Sequence, residues 1–173
     1  VNVAADRGTA IHALLQMIGW VEDGLPSDEQ RVRALSAEHR SHPGKILSEF
    51  REMLARPAVQ ERLSRRYYAK AWGERCKGQP MELKLYRELP FAHLDGEQLV
   101  SGKIDRLVIG YLQGKAVAAE VLDYKTDAGE PAELTVHYAP QMAAYRQSAA
   151  RFTRLPAEVI ECHLVLLRRG WIE

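Results

Sequence analysis

Asp123, Tyr124 and Lys125 close an apolar run from Ala116 to Leu122, and Asp105 stands one hairpin upstream in Gly102-Lys103-Ile104-Asp105-Arg106. If both runs are strands, residues two apart share a face. Asp123 and Lys125 then point the same way, while Tyr124 points oppositely and offers its carbonyl at the strand end. Asp105 has Val100, Ile104, Leu107 and Val108 for company, where a charge needs a cation or strong donors. Two carboxylates, a backbone carbonyl and waters suit Mg²⁺, which prefers six oxygen ligands. An ammonium beside them can orient or deprotonate a water and offset charge on a pentavalent transition state. These are the groups that metal-dependent phosphodiester cleavage requires, although an ion pair from Asp105 or Asp123 to Lys125 would use the same residues.

Three further residues could join them. Gln141 and Tyr145 lie four apart on an expected helix, so they stack on one face and can reach a phosphate or base together; a packed Tyr beside an exposed Gln is the alternative. His12 stands one position off the apolar stripe of the first expected helix, where a neutral imidazole can ligate a metal or simply be a half-buried core neighbour.

The elements that must position these groups fall into a helical front, residues 1–80, and a sheet-bearing back, residues 81–173. Ile11, Leu14, Leu15 and Ile18 predict a helix over Asp6 to Trp20, ended by Gly19 and Gly24-Leu25-Pro26. Ser27 is the expected cap of a second helix, His42-Pro43-Gly44 a break before a third, and Pro57 the first turn of a fourth that runs through Trp72 to Gly73 or Gly78. From Met81 the period changes to two. Asp95-Gly96 and Gln113-Gly114 punctuate three strands, the second Gln98 to Tyr111 and the third Lys115 to Thr126, giving an antiparallel meander. A helix over Tyr138 to Phe152 then crosses over to a buried strand, Val159 to Leu167. The expected fold class is α/β.

Composition sets the outer bounds. The 173 residues are 46% hydrophobic and 27% charged, ordinary for a globular domain that buries a core. The absence of a spanning apolar stretch or a signal peptide predicts a soluble, cytoplasmic protein with no membrane partner. Two cysteines, Cys76 and Cys162, support neither a disulfide framework nor a Cys-based metal site. A net charge of +1 gives no general attraction to nucleic acid, so local clusters must bind phosphate: Arg62, Arg65, Arg66 and Lys70, or Arg168 with Arg169. Tyr67, Tyr68 and Trp72 are expected in the core rather than stacked on bases. The start without Met and the stop at Trp171-Ile172-Glu173 point to a piece of something larger.

Gly8-Thr9-Ala10-Ile11-His12, Arg87-Glu88-Leu89-Pro90-Phe91, Gly102-x-x-Asp105-Arg106-Leu107, Asp123-Tyr124-Lys125-Thr126 and Gln141-x-x-x-Tyr145 resemble, in order, the motifs of the RecB-type branch of the PD-(D/E)XK nucleases. The resemblance spans nearly the whole chain and is closest to the C-terminal nuclease domains of the RecB and AddA helicase-nucleases. It implies a restriction-endonuclease-like fold, a mixed sheet flanked by helices. It also implies a Mg²⁺- or Mn²⁺-dependent DNA nuclease, an exonuclease, for end processing in recombinational double-strand-break repair. His12, Asp105, Asp123 and the Tyr124 carbonyl match the family's metal ligands, Lys125 its catalytic lysine, and Gln141 and Tyr145 the motif beside the active site; Glu88 matches a recurrent acid. The four cysteines of the iron-sulfur members are absent, so no cluster is expected. Implied partners are DNA, an ATP-dependent helicase domain on the same full-length chain and a second helicase-nuclease subunit, in the bacterial cytoplasm at the nucleoid. No Gly-x-x-x-x-Gly-Lys-[Ser/Thr] loop occurs here, so the motor must lie outside this sequence. The alternatives are a non-catalytic DNA-binding module on the same fold, against which every matched position is filled, and a stand-alone nuclease for RNA or defence.

Overall fold

A computed structural model describes residues 3–77 and 79–173. Its described residues form a five-stranded mixed sheet flanked by helices, a restriction-endonuclease-like α/β fold. The strands β1 (Glu82–Asp95), β2 (Gln98–Leu112), β3 (Lys115–Lys125), β4 (Ile160–Leu166) and β5 (Trp171–Ile172) lie side by side in chain order. The first three form the expected antiparallel meander, turning at Gly96 and Gly114, where φ of 61° and 78° suits glycine. β4 adds in parallel to β3 after the expected crossover helix. β5, which the sequence did not signal, is two residues long and folds back on β4 through Gly170.

The front supplies α1 (Val3–Leu15), α2 (Asp28–Ala34), α3 (Ala37–Ser41), α4 (Gly44–Leu54), α5 (Pro57–Arg62) and α6 (Arg65–Gly73). Ile11, Leu14, Phe50 and Leu63 pack on one face of the sheet against Leu122, Tyr124 and Val165. The crossover helix α7 (Pro131–Thr153) covers the other face, with Tyr145 and Ala149 against Leu107, Ile109, Ala119 and Val121. Successive residues of β3 therefore enter different cores, as strand alternation requires. Ser27 caps α2 in a capping box with Gln30, as expected.

Three expected boundaries move. α1 stops at Leu15 rather than Trp20, because the chain tightens into Met17 N–H to Leu14 O and Ile18 N–H to Leu15 O bonds. The carbonyls freed at this end are taken by two sheet arginines: Arg87 donates to Gln16 O, and the buried Arg106 donates to Ile18 O and Gly19 O. The fourth expected helix is two, split at Ser64, whose hydroxyl accepts from Arg66 N–H. Glu22 completes that cap by accepting from Arg65 and Arg66 N–H at 3.1 and 3.2 Å. Gly73 ends α6; Gly78, the other expected stop, lies outside the described residues, as do Val1 and Asn2. α7 starts at Pro131, not Tyr138, and runs through Pro140. Pro131 takes the first turn, where a missing N–H costs nothing, and so opens the helix. Pro90 is tolerated within β1 because β1 is an edge strand. No described helix is long and apolar enough to cross a membrane.

Candidate active site

The site forms where the sheet splits. Pairing of β2 with β3 runs from Leu112 opposite Lys115 to Arg106 opposite Leu122, then ends. Beyond that point β3 stays with β4, Asp123 to Lys125 facing Leu164 to Leu166, while β2 from Ile104 to Gln98 stays with β1. Asp105 and Asp123 are the first residues on either side of the gap. The Asp105 carboxylate reaches across it and accepts a hydrogen bond from Tyr124 N–H at 2.8 Å. On the far side of Asp105, Glu88 is skipped by the β1–β2 pairing and adopts φ 53°, a left-handed conformation that is strained for a residue with a Cβ.

Four further elements bring groups to this gap. α1 passes close to the end of β3, since a Cβ on Gly8 would lie 3.2 Å from Thr126 Oγ1, and one turn later its His12 Nδ1 stands 3.5 Å from Asp105 Oδ2. β1 supplies Glu88, ion-paired with Lys103 across the hairpin. β3 supplies Asp123 and Lys125, which share a face as expected, Nζ lying 2.7 Å from Asp123 Oδ2. α7 supplies Gln141 and Tyr145. Lys125 Nζ donates to Gln141 Oε1 at 3.0 Å, and Gln141 Nε2 donates to the Tyr145 oxygen at 2.9 Å. Tyr138, one turn earlier on the same helix, lays its ring 4.2 Å from Lys125 Nζ.

Burial makes these groups electrostatically expensive. Asp123 is 1% exposed and Asp105 8%. Burial raises the Asp123 carboxyl to about 6, the Lys125 ammonium opposing that rise and the Asp105 charge adding to it. His12 is half-buried, which works against its charge, but the hydrogen bond and charge of Asp105 outweigh that desolvation and raise its pKa. Burial, then the charges of Asp123 and Asp105, keep Tyr145 a neutral phenol.

A cation answers this excess of acid. Ligand atoms of His12, Glu88 and Asp105 all lie within 4.8 Å of one another, a set of one imidazole nitrogen and two carboxylates that could close on one divalent ion. The sequence expected Asp123 and the Tyr124 carbonyl among these ligands. Asp123 Oδ2 faces Lys125, and Tyr124 N–H donates to Asp105 while its ring is buried on the opposite face.

A second group among the described residues, Glu120, Glu161 and His163, is equally close-set, yet Glu120 is already held by Tyr68 Oη at 2.5 Å and Arg62 at 3.1 Å. Arg62 therefore braces the core rather than facing phosphate. Arg65 is paired with Asp23, and Arg169 with Glu130. Of the expected basic clusters, Arg66 and Lys70 line an open cleft of about 670 Å³ beside Tyr67, which holds none of the matched residues. Tyr68 and Trp72 lie in the core, as expected. Sequence reading missed Lys103 and Tyr138. Tyr138 was within reach, standing three residues before Gln141 on the stripe that also carries Tyr145.

A search of curated proteins found no match for this chain. The model of the PD-(D/E)XK nuclease superfamily matches residues 1–169, nearly the whole sequence. The chain belongs to the PD-(D/E)XK nuclease superfamily.

Proposed function

We propose that this chain is a divalent-metal-dependent deoxyribonuclease of the RecB and AddA type, an exonuclease that trims DNA ends during recombinational repair of double-strand breaks. The observation that carries the reading is the convergence of Asp105, Asp123 and Lys125 at one split in the sheet, with His12 and Glu88 close by. Nucleases of this superfamily use divalent metals. His12, Glu88 and Asp105 would hold the ion, with Asp123 joining on release from Lys125; Mg²⁺ fits the oxygen ligands, and Mn²⁺ accepts the imidazole more readily. When bound, the ion supplies Lewis-acid polarisation of a phosphate oxygen and acidifies the attacking water.

The chain's own groups do the remaining work. Lys125 sits where an ammonium can orient a water and offset charge gathering on the phosphate. Gln141 fixes Lys125 from one side and is itself fixed by Tyr145, whose phenolic proton is left to meet a phosphate or base. With a net charge of +1, delivery of the strand falls to an ATP-dependent helicase elsewhere in the full-length protein. The test is incubation with labelled single- and double-stranded DNA, with Mg²⁺, Mn²⁺ or EDTA. Metal-dependent shortening from an end supports the reading; inertness with both ions refutes it for this chain, and internal cuts refute the exonuclease assignment.

A further inference from the structure

Among the described residues, the Lys125 ammonium is met by Asp123, Gln141 and Tyr138, which have different prospects during a reaction. Its strongest partner, Asp123 Oδ2 at 2.7 Å, is also a candidate ligand, and an oxygen given to a cation no longer holds the ammonium. Gln141 Oε1 at 3.0 Å is a single neutral acceptor. The third neighbour is the face of Tyr138, 4.2 Å from Nζ, within the range of a cation–π contact; at 13% exposure the lysine side chain is desolvated enough for that contact to matter. Tyr138 is held in turn. Its hydroxyl donates to Asp127 Oδ2 at 3.2 Å, in the segment leaving β3, so the ring is tethered at its far edge and presents its face, not its oxygen, to Lys125. Tyr138, Gln141 and Tyr145 stand at i, i+3 and i+7 of α7, one stripe in which the first two meet the ammonium and the third holds Gln141.

We propose that Tyr138 is a positioning residue for DNA cleavage, its ring face keeping the Lys125 ammonium in place when Asp123 no longer does. The inference rests on the reading of Lys125 given above. What the reaction needs from residue 138 is the negative face of an aromatic ring, with the hydroxyl only a secondary tether to Asp127.

Stepwise fluorination tests this, because it drains the face of a ring while nearly preserving its shape. Tyr138→Phe is expected to keep kcat within about 2-fold. Mono-, di- and trifluorophenylalanine at 138 should lower kcat progressively to about 10-fold, or about 1.4 kcal/mol in the barrier, with KM for DNA and thermal midpoint unchanged. Proton NMR gives a readout free of turnover. The ring current should move the Lys125 ε-methylene protons upfield, and Tyr138→Leu should abolish that shift while leaving Lys84, which lies over Tyr111, unaltered. A flat fluorine series, an effect confined to KM, or an unshifted Lys125 overturns the role of Tyr138. Where Lys125→Ala is inactive, that failure falls on Tyr138 alone; where Lys125→Ala cuts like wild type, the reading of Lys125 falls and this inference with it.

Discussion

The carboxylate of Asp105 accepts a hydrogen bond from the backbone N–H of Tyr124 across the point where β2 and β3 part. An acid expected to bind metal thus also replaces the ladder bond that the split removes. The two duties separate by substitution. Asp105→Asn keeps an acceptor for Tyr124 N–H and should unfold in urea close to wild type, whereas Asp105→Ala strands a buried donor and should lose about 1–3 kcal/mol. Equal losses in the two variants would mean that charge, not the bridge, sets the stability here.

The same pair tests the ion. Mn²⁺ should raise the thermal midpoint of wild type, by an amount that grows with its concentration over the dissociation constant, and neither Asp105→Asn nor Asp105→Ala should respond. A full response in Asp105→Asn would move the metal away from this acid.

Arg106 is almost fully buried and donates to Ile18 O and Gly19 O at the end of α1, with its guanidinium over Trp20. Arg106→Met keeps the volume and leaves both carbonyls short of a donor, so about 2–4 kcal/mol should be lost in denaturant unfolding. Because α1 carries His12, the folded remainder should also bind Mn²⁺ more weakly; unchanged binding would show that α1 is held by its apolar stripe alone.

Glu22 supplies a pH dependence. Its slight burial works against ionisation, but hydrogen bonds from Ser64 Oγ and from Arg65 and Arg66 N–H outweigh this and lower its pKa from 4.5 to about 2. A depressed acid stabilises the fold above its unfolded value, and that contribution is lost as pH falls from 4.5 towards 2. After screening at this exposed position it should amount to about 1 kcal/mol. The thermal midpoint of Glu22→Gln should lie below wild type at pH 7, and the gap should close near pH 2; a gap independent of pH would place the effect in the neutral side chain.

What the sequence made legible was local. Alternation put Asp123 and Lys125 on one face, Asp95-Gly96 and Gln113-Gly114 set the meander, and Ser27 marked a cap; each signal acts within a few residues, and each is found in the structure. The end of α1 was not legible, because it depends on Arg87 and Arg106, more than seventy residues away. The break at Ser64 was hidden for the same reason, since its cap is completed by Glu22. That Asp105, Asp123, Lys125 and Gln141 could come together was legible, but the partner of each acid was not. Whether Asp123 faces Lys125, or Glu88 joins His12 and Asp105, follows from the parting of two strands, and no spacing encodes that.

The central claim is that the groups at this split cut DNA, and the most direct measurement is the cleavage rate of Lys125→Ala against wild type on end-labelled DNA with Mg²⁺ or Mn²⁺, at matched thermal midpoints. The account predicts metal-dependent release of nucleotides by wild type and a loss of at least about 100-fold in the variant, in line with removing one group that stabilises transition-state charge. Wild-type cleavage retained by a folded Lys125→Ala, or no cleavage by wild type with either ion, would contradict it.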